Sequence, residues 1–461
     1  MGNVLFGAVA LLTIGFGMVK RPAFVLLIVL MSGIPISLLT GDTKYFIALG
    51  GMSGQAAWAF AIVIGCLAAL IAYLARLHLV LARTPAFLLF LSFALVSLSW
   101  ADSLLDGVRM LAKYAAPMLF FWVLLAMNPG ERLIRRLELA LYASCSIAGL
   151  LALVNTLGGG FIAPLLAKTG ILGLPALAAP HTSAANFSFL LACGAITAYC
   201  RFLVSRRWLT LLLAAFFMTC VAFAFVRISL AGTVLGIATV HLVRARPWAT
   251  PMFAALAALA ALAAVFIVTS DAFMNRMFFV PARVHWSQLL AEPEMFMANV
   301  DTSGRTLLWD RAKRAFAGES AWVGAGVGAV DAWINTGDSL HSELHSEVYR
   351  VRLELGWIGL AIYVLGLVAL WWRLVRATRR ARREQVTVAM RASCAMLPVY
   401  FLTLLTDNTI NYAAGFGAIV YGFAAIALVE VVPARSPASR ETAPSSGAQS
   451  PILHRSVVSA D

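Results

Sequence analysis

Charge is scarce in this chain. Asp, Glu, Lys and Arg supply 12% of its 461 residues against 61% hydrophobic, which excludes an ordinary water-soluble domain, where about a quarter of residues are charged. Period-two alternation is also missing. The runs of Leu, Ala, Val and Phe are continuous, so an outer-membrane barrel is excluded. Cysteine is sparse, and Cys66, Cys145, Cys193, Cys200, Cys220 and Cys394 all fall inside apolar runs. None sits where an exterior disulfide would form, so they read as small core residues. The first apolar run, Val4 to Val19, has neither a basic n-region nor an A-x-A cleavage site, and is expected to be a retained helix. No internal repeat is visible, which weakens an inverted-repeat transporter.

What the chain does have is a series of apolar runs reaching the ~20 residues that a spanning helix needs. In lipid such runs must satisfy their own backbone groups, so they are helices. The fold class expected is all-α, a polytopic membrane protein with about 12–13 transmembrane helices and one large external, periplasmic loop. Spans are predicted over 4–19, 22–40, 56–75, 85–100, 113–127, 134–157, 182–203, 207–225, 227–243, 250–270, 355–375, 393–408 and 411–431. This divides the chain into transmembrane helices (1–270), an external loop carrying the site (271–354), further transmembrane helices (355–431) and a tail (432–461). The tail, rich in Pro, Ser, Ala and Arg, is expected to be a disordered cytoplasmic extension.

Basic residues set the orientation. Loops after alternate spans, together with the tail, hold 22 of the 35 Lys and Arg residues and 6 of the 21 acids. That face is net +16, leaving −2 for the other, and the positive-inside rule makes it cytoplasmic. The high pI therefore reports topology and contact with anionic membrane lipids, and no nucleic acid partner is expected.

Polar residues concentrate in the outward stretch 303–360, which reads SGRTLLWDRAKRAF, WVGAGVG and HSELHSEVYRVRLELGWIGL. Connections longer than about 15 residues are usually functional or disordered, and the spaced aromatics here predict a folded one. Arg305, Trp309, Ala312 and Phe316 share a helical face. They predict an amphipathic helix against the membrane or the transmembrane body, with Arg311, Lys313 and Arg314 solvated and Arg305 placed to meet a ligand. Gly324, Gly326 and Gly328 follow no strand and lack the G-x-x-G continuation of a nucleotide fingerprint, so a tight reversal is predicted. His341 and His345 are four apart, but the Glu that a zinc protease needs directly after its first His is absent. A histidine titrating near neutrality suits the removal of a proton from a hydroxyl nucleophile; the other reading is a packed loop histidine.

Arg227 stands alone in FAFVRISLAGTVLG, either as an anion ligand or as a side chain snorkelling to the headgroups. Arg109 and Lys113, one turn apart just outside a span, and His181 in APHTSAANF are further candidates for anionic groups. Interface anchoring is the competing role for the first two. Asp407, Asn408 and Asn411 cluster at an outer turn that fits a transport path, a sugar-binding mouth or a capped turn.

The ordered set of Arg227, Arg305 with Trp309, Gly324 and Gly326, then His345 with Glu354, Gly356 and WIGL, resembles the O-antigen ligase and polysaccharide polymerase (Wzy-type) superfamily over roughly 220–375. SLSWADSLLDGVRMLAKY is a weaker echo. Val226 departs from the usual Ser, and Ser346 from the common Asn. The resemblance implies a metal- and nucleotide-independent glycosyltransferase, without a cofactor, in the bacterial inner membrane. Its donor is a glycan on undecaprenyl diphosphate and its acceptor a glycan or lipid A-core, with polysaccharide export or flippase machinery as a partner. It also implies that Arg227 and Arg305 hold the diphosphate and that His345 is the general base. Glu354 orients the helix or the histidine, or solvates its face. Arg109, Lys113, His181 and His341 are further substrate-contact candidates read from the residues themselves, and His341 competes with His345 for the role of base, the spacing to Glu354 and Gly356 favouring His345. The HSE-Y-R form and the long basic inner loop point towards a polymerase of repeat units. A ligase is the alternative, and a transporter using Arg227 as a mid-membrane anion site is the alternative from another class.

Overall fold

The computed structural model describes residues 54–160, 177, 184–243, 305–336, 344–380 and 384–429, with a few isolated positions besides. The expected spans 4–19, 22–40 and 250–270, the tail, His181 and His341 lie outside them. The described residues are helical, with no strand among them. In chain order the helices are α1 (Gly54–Ala72), α2 (Leu74–Arg83), α3 (Pro85–Val96), α4 (Leu104–Met127), α5 (Glu131–Leu157), α6 (Ala184–Ser205), α7 (Trp208–Phe223) and α8 (Arg227–Val243). There follow α9 (Arg305–Ala315), α10 (Ala329–Asn335), α11 (Glu347–Arg380), α12 (Glu384–Thr406) and α13 (Ala418–Leu428).

Among the described residues, α4, α5, α6, α11 and α12 are each long and apolar enough to cross a membrane, and α1 and α2, bent by 100° at their junction, reach that length and composition only when taken together. Shorter apolar helices, α3, α7, α8 and α13, fill the places of the remaining predicted spans. The chain is thus a multi-pass, all-α membrane protein.

Helix α6 is buried on nearly every side and packs against α5, α7, α8 and α12. Helices α4, α12 and α13 complete the centre. Without a hydrophobic drive between helices in lipid, close approach has to come from small residues. On α8, Gly232 and Gly236 supply it: a Cβ at either would collide with Val399, and one at Gly236 also with Ile196. These contacts make α8 and α12 antiparallel, so α8 starts at the level where α12 ends.

Charge is not absent from the bundle. On the basic side, Glu138 of α5 forms a bidentate pair with Arg201 of α6, both nearly inaccessible, and also accepts from Tyr142 at 2.7 Å. Pairing of this kind is what makes buried charge tolerable in a membrane.

Helices α4, α11 and α12 begin well ahead of the spans that hydropathy predicts, α12 at Glu384 where the span is expected from 393. Helix α4 starts at Leu104, nine residues ahead of the expected span, because Ser103 accepts the Asp106 N–H as an N-cap while donating to the Asp106 carboxylate at 2.7 Å. Arg109 and Lys113 therefore lie within α4 and not just outside it. Helix α11 starts at Glu347, inside the loop expected to run to 354, and its first two turns are polar.

Candidate active site

Helix α11 is broken at Gly356, where φ is +65° and ψ −168°. Only glycine takes up such a conformation readily, and a Cβ there would lie 2.2 Å from the Trp322 carbonyl. A break in a membrane helix strands carbonyls and N–H groups that must find partners. The glycine loop supplies them. Ala325 N–H donates to Leu353 O at 3.0 Å and Gly326 N–H to Glu354 O at 2.9 Å; in return Trp357 and Ile358 N–H donate to Ala321 O and Trp322 O at 3.0 and 3.1 Å. The predicted chain reversal is thus a splint for the broken helix. Gly324 sits so close that a Cβ would meet the Glu354 carbonyl at 2.5 Å.

Outside this splint, a small apolar cluster of Leu308, Ala312, Val330 and Leu344 holds α9 and α10 against the start of α11. Trp309 and Phe316 pack onto it, as the predicted amphipathic face requires, while Lys313 and Arg314 are exposed. Helix α9 thus packs on the body of the protein.

Beneath this cap, the turn 406–411 between α12 and α13 gathers side chains from three elements. Arg305 of α9 donates to the carbonyl of Thr406, the last residue of α12, at 2.8 Å. His345 sets Nδ1 3.9 Å from Asp407 Oδ1. The Glu347 carboxylate faces the backbone N–H of Ile410, and Lys113 of α4 donates to Asn411 Oδ1 at 3.0 Å. Arg305, His345 and Lys113, far apart in sequence, meet on one short turn. By the antiparallel register of α8 and α12, Arg227 lies at the same end of the bundle, exposed, as the first residue of α8.

His345 itself has φ +54°, a left-handed conformation uncommon for a residue with a side chain. Ser346 follows as N-cap, its Oγ accepting the Tyr349 N–H at 3.2 Å. Asn and Ser are both strong N-caps, so the departure from the common Asn keeps the local chemistry.

The polar turns of α11 hold a second network. Arg350, 1% exposed, donates to Asp331 Oδ1 of α10 at 2.5 Å and lies 3.5 Å from Glu354 Oε1. Asp331 Oδ2 also faces Lys113 Nζ at 3.7 Å. Burial by itself would raise the Asp331 pKa, but the two cations outweigh it and hold the carboxyl below the usual carboxylate range. Glu354 is fully buried, and its Oε1 accepts the Val330 N–H at 3.3 Å while the carboxylate faces the backbone of Gly328. It faces the glycine loop and not His345, and it does not solvate a helix face. Arg109 pairs with Asp106 at 3.1 Å in the first turns of α4.

Sequence reasoning missed Tyr114, Asp331, Glu347 and Arg350. The sequence signal for the last two was HSE-Y-R itself, whose acid and base are i, i+3 on a helix. Among the described residues no three His, Cys, Asp or Glu side chains converge to hold a metal ion.

The fold is that of a polytopic helical membrane protein in which arginine, lysine and histidine side chains gather at one end of the bundle. Residues 209–364, about a third of the chain, match the family model described as O-antigen ligase, which is consistent with the resemblance carried by the motifs from Arg227 to Gly356. The chain's function is accordingly related to O-antigen ligation or polymerisation. No curated protein matches the chain.

Proposed function

We propose that this protein is an inner-membrane glycosyltransferase that polymerises undecaprenyl-diphosphate-linked repeat units at the outer leaflet into exopolysaccharide or O-antigen. The observation that carries the reading is the turn 406–411, which brings the His345 imidazole, the Arg305 guanidinium and the Lys113 ammonium to one place.

The chemistry follows from these groups. An acceptor sugar hydroxyl attacks the anomeric carbon of the donor, the bond from that carbon to the diphosphate oxygen breaks, and the lipid diphosphate leaves with the electron pair. His345 takes the hydroxyl proton on Nε2. Asp407 beside Nδ1 favours the tautomer that leaves Nε2 open and stabilises the imidazolium that forms. A separation of 3.9 Å exceeds a hydrogen bond, but such contacts tighten when substrate binds. Arg305 and Arg227 meet the diphosphate, where charge builds in the transition state. Guanidinium is permanently charged and can contact two phosphate oxygens at once. Lys113 adds a point charge, with its ammonium already anchored by Asn411.

The name of the matched family, O-antigen ligase, favours a second reading, in which a finished chain passes to lipid A-core. Glycan profiling of cells carrying His345→Ala, Arg305→Ala or Arg227→Ala separates the two. Accumulated single lipid-linked units with loss of long chains supports the polymerase, and long lipid-linked chains left unattached support the ligase. Normal glycans in all three variants, each verified in the membrane, would exclude both.

A further inference from the structure

We infer that Glu347 is a positioning residue for His345, one jaw of a two-sided clamp that keeps the histidine in its left-handed conformation. This rests on the reading of His345 as the base.

A residue in a sparsely populated backbone region stays there only when its surroundings over-determine it. On the N-terminal side of His345, the Leu344 carbonyl accepts Trp309 Nε1–H at 2.8 Å, and the Leu344 side chain lies in the cap cluster. On the C-terminal side, after the capping Ser346, the Glu347 carboxylate is 1% exposed. Its Oε1 accepts the Tyr114 hydroxyl of α4 at 2.7 Å, and the carboxylate faces the backbone N–H of Ile410 in the turn that carries Asp407, which favours its charged form. Glu347 thereby ties three pieces together: the residue pair after His345, the central helix α4, and the turn against which the imidazole sits. It cannot be the base, because a carboxylate so buried meets no acceptor hydroxyl. With a 35% exposed side chain, His345 can. A buried carboxylate is costly, and here only Oε1 is matched by a hydrogen bond; its retention beside the strained histidine fits a geometric task.

The test uses the full chain in detergent, fed with the undecaprenyl-diphosphate-linked glycan extracted from cells that lack it. Glu347→Ala is expected to lower kcat by about 10–100-fold at unchanged donor KM, as misplacing a base should. Glu347→Gln, whose amide oxygen still accepts the Tyr114 hydroxyl, stays within about threefold, and Tyr114→Phe loses about two- to fivefold. In the His345→Ala background, Glu347→Ala lowers the residual rate less than about twofold, because residues acting through one another are not additive. A full further loss in that background, or a raised KM with kcat retained, overturns the clamp in favour of a ligand contact. Should Glu347→Ala fail to reach the membrane, Tyr114→Phe carries the same test, and an unchanged kcat there overturns the proposal. Wild-type rate in Glu347→Ala with His345→Ala inactive sinks the clamp alone, whereas wild-type rate in His345→Ala sinks the glycosyl-transfer reading with it.

Discussion

Asp407 Oδ1 stands 3.9 Å from Nδ1 of His345, on a turn that follows a different helix. Asp407 is itself 7% exposed and accepts the Asn408 N–H at 2.8 Å, so the carboxylate is fixed before the histidine meets it.

Removal of that charge is expected to cost less than removal of the base. His345→Ala should lose about 10²–10⁴-fold in turnover and Asp407→Asn about 10–10²-fold, measured as lipid-linked donor consumed. Asp407→Asn indistinguishable from wild type would remove it from the site.

Ser346→Asn should leave stability within a few tenths of a kcal/mol, since both residues cap well, whereas Ser346→Ala should cost about 1 kcal/mol. Thermal unfolding of the purified variants compares them. Equal midpoints for Ala and Ser would mean that the bond to the Tyr349 N–H contributes nothing.

Gly356→Ala combines a forbidden backbone angle with a collision against Trp322. Strain of about 1–3 kcal/mol for the backbone, with the steric term added, should sharply reduce the amount of folded protein in the membrane. Normal yield and midpoint would contradict the break in α11.

Asp331→Ala leaves Arg350 buried without its principal partner, a change that costs about 3–5 kcal/mol when a buried pair is broken. The ion pairs also set a pH dependence. Because the folded-state pKa of Asp331 is lowered, its contribution is fully present above the unfolded value near ~3.9 and is lost as pH falls through the lower folded value. The gap in unfolding temperature between wild type and Asp331→Asn should therefore be constant from neutrality to about pH 5 and shrink below about pH 4. A gap that widens in acid would reverse the sign of the interaction.

Hydropathy located the described spans because lipid imposes length and composition on them directly. It failed at the starts of α4, α11 and α12, where helix continues through polar residues. Ser103 and Asp106 form a cap that can be recognised in sequence but was not used. Glu347, Arg350 and Glu354 look solvated in a linear reading; their burial depends on Tyr114, Asp331 and the backbone of the glycine loop, partners that only the folded chain brings near. The Asp407–Asn411 cluster was visible as polar residues at an outer turn. That Arg305, His345, Glu347 and Lys113 would all converge on it was not, because each contact spans dozens to hundreds of residues and leaves no periodicity.

The splint at Gly356 has a mechanical consequence. The glycine loop cannot rise from α11 without breaking four backbone hydrogen bonds at once, so this part of the cap does not work as a lid. A donor whose lipid tail stays in the bilayer would have to arrive sideways, sliding along the outer leaflet until its headgroup meets a floor that is already assembled.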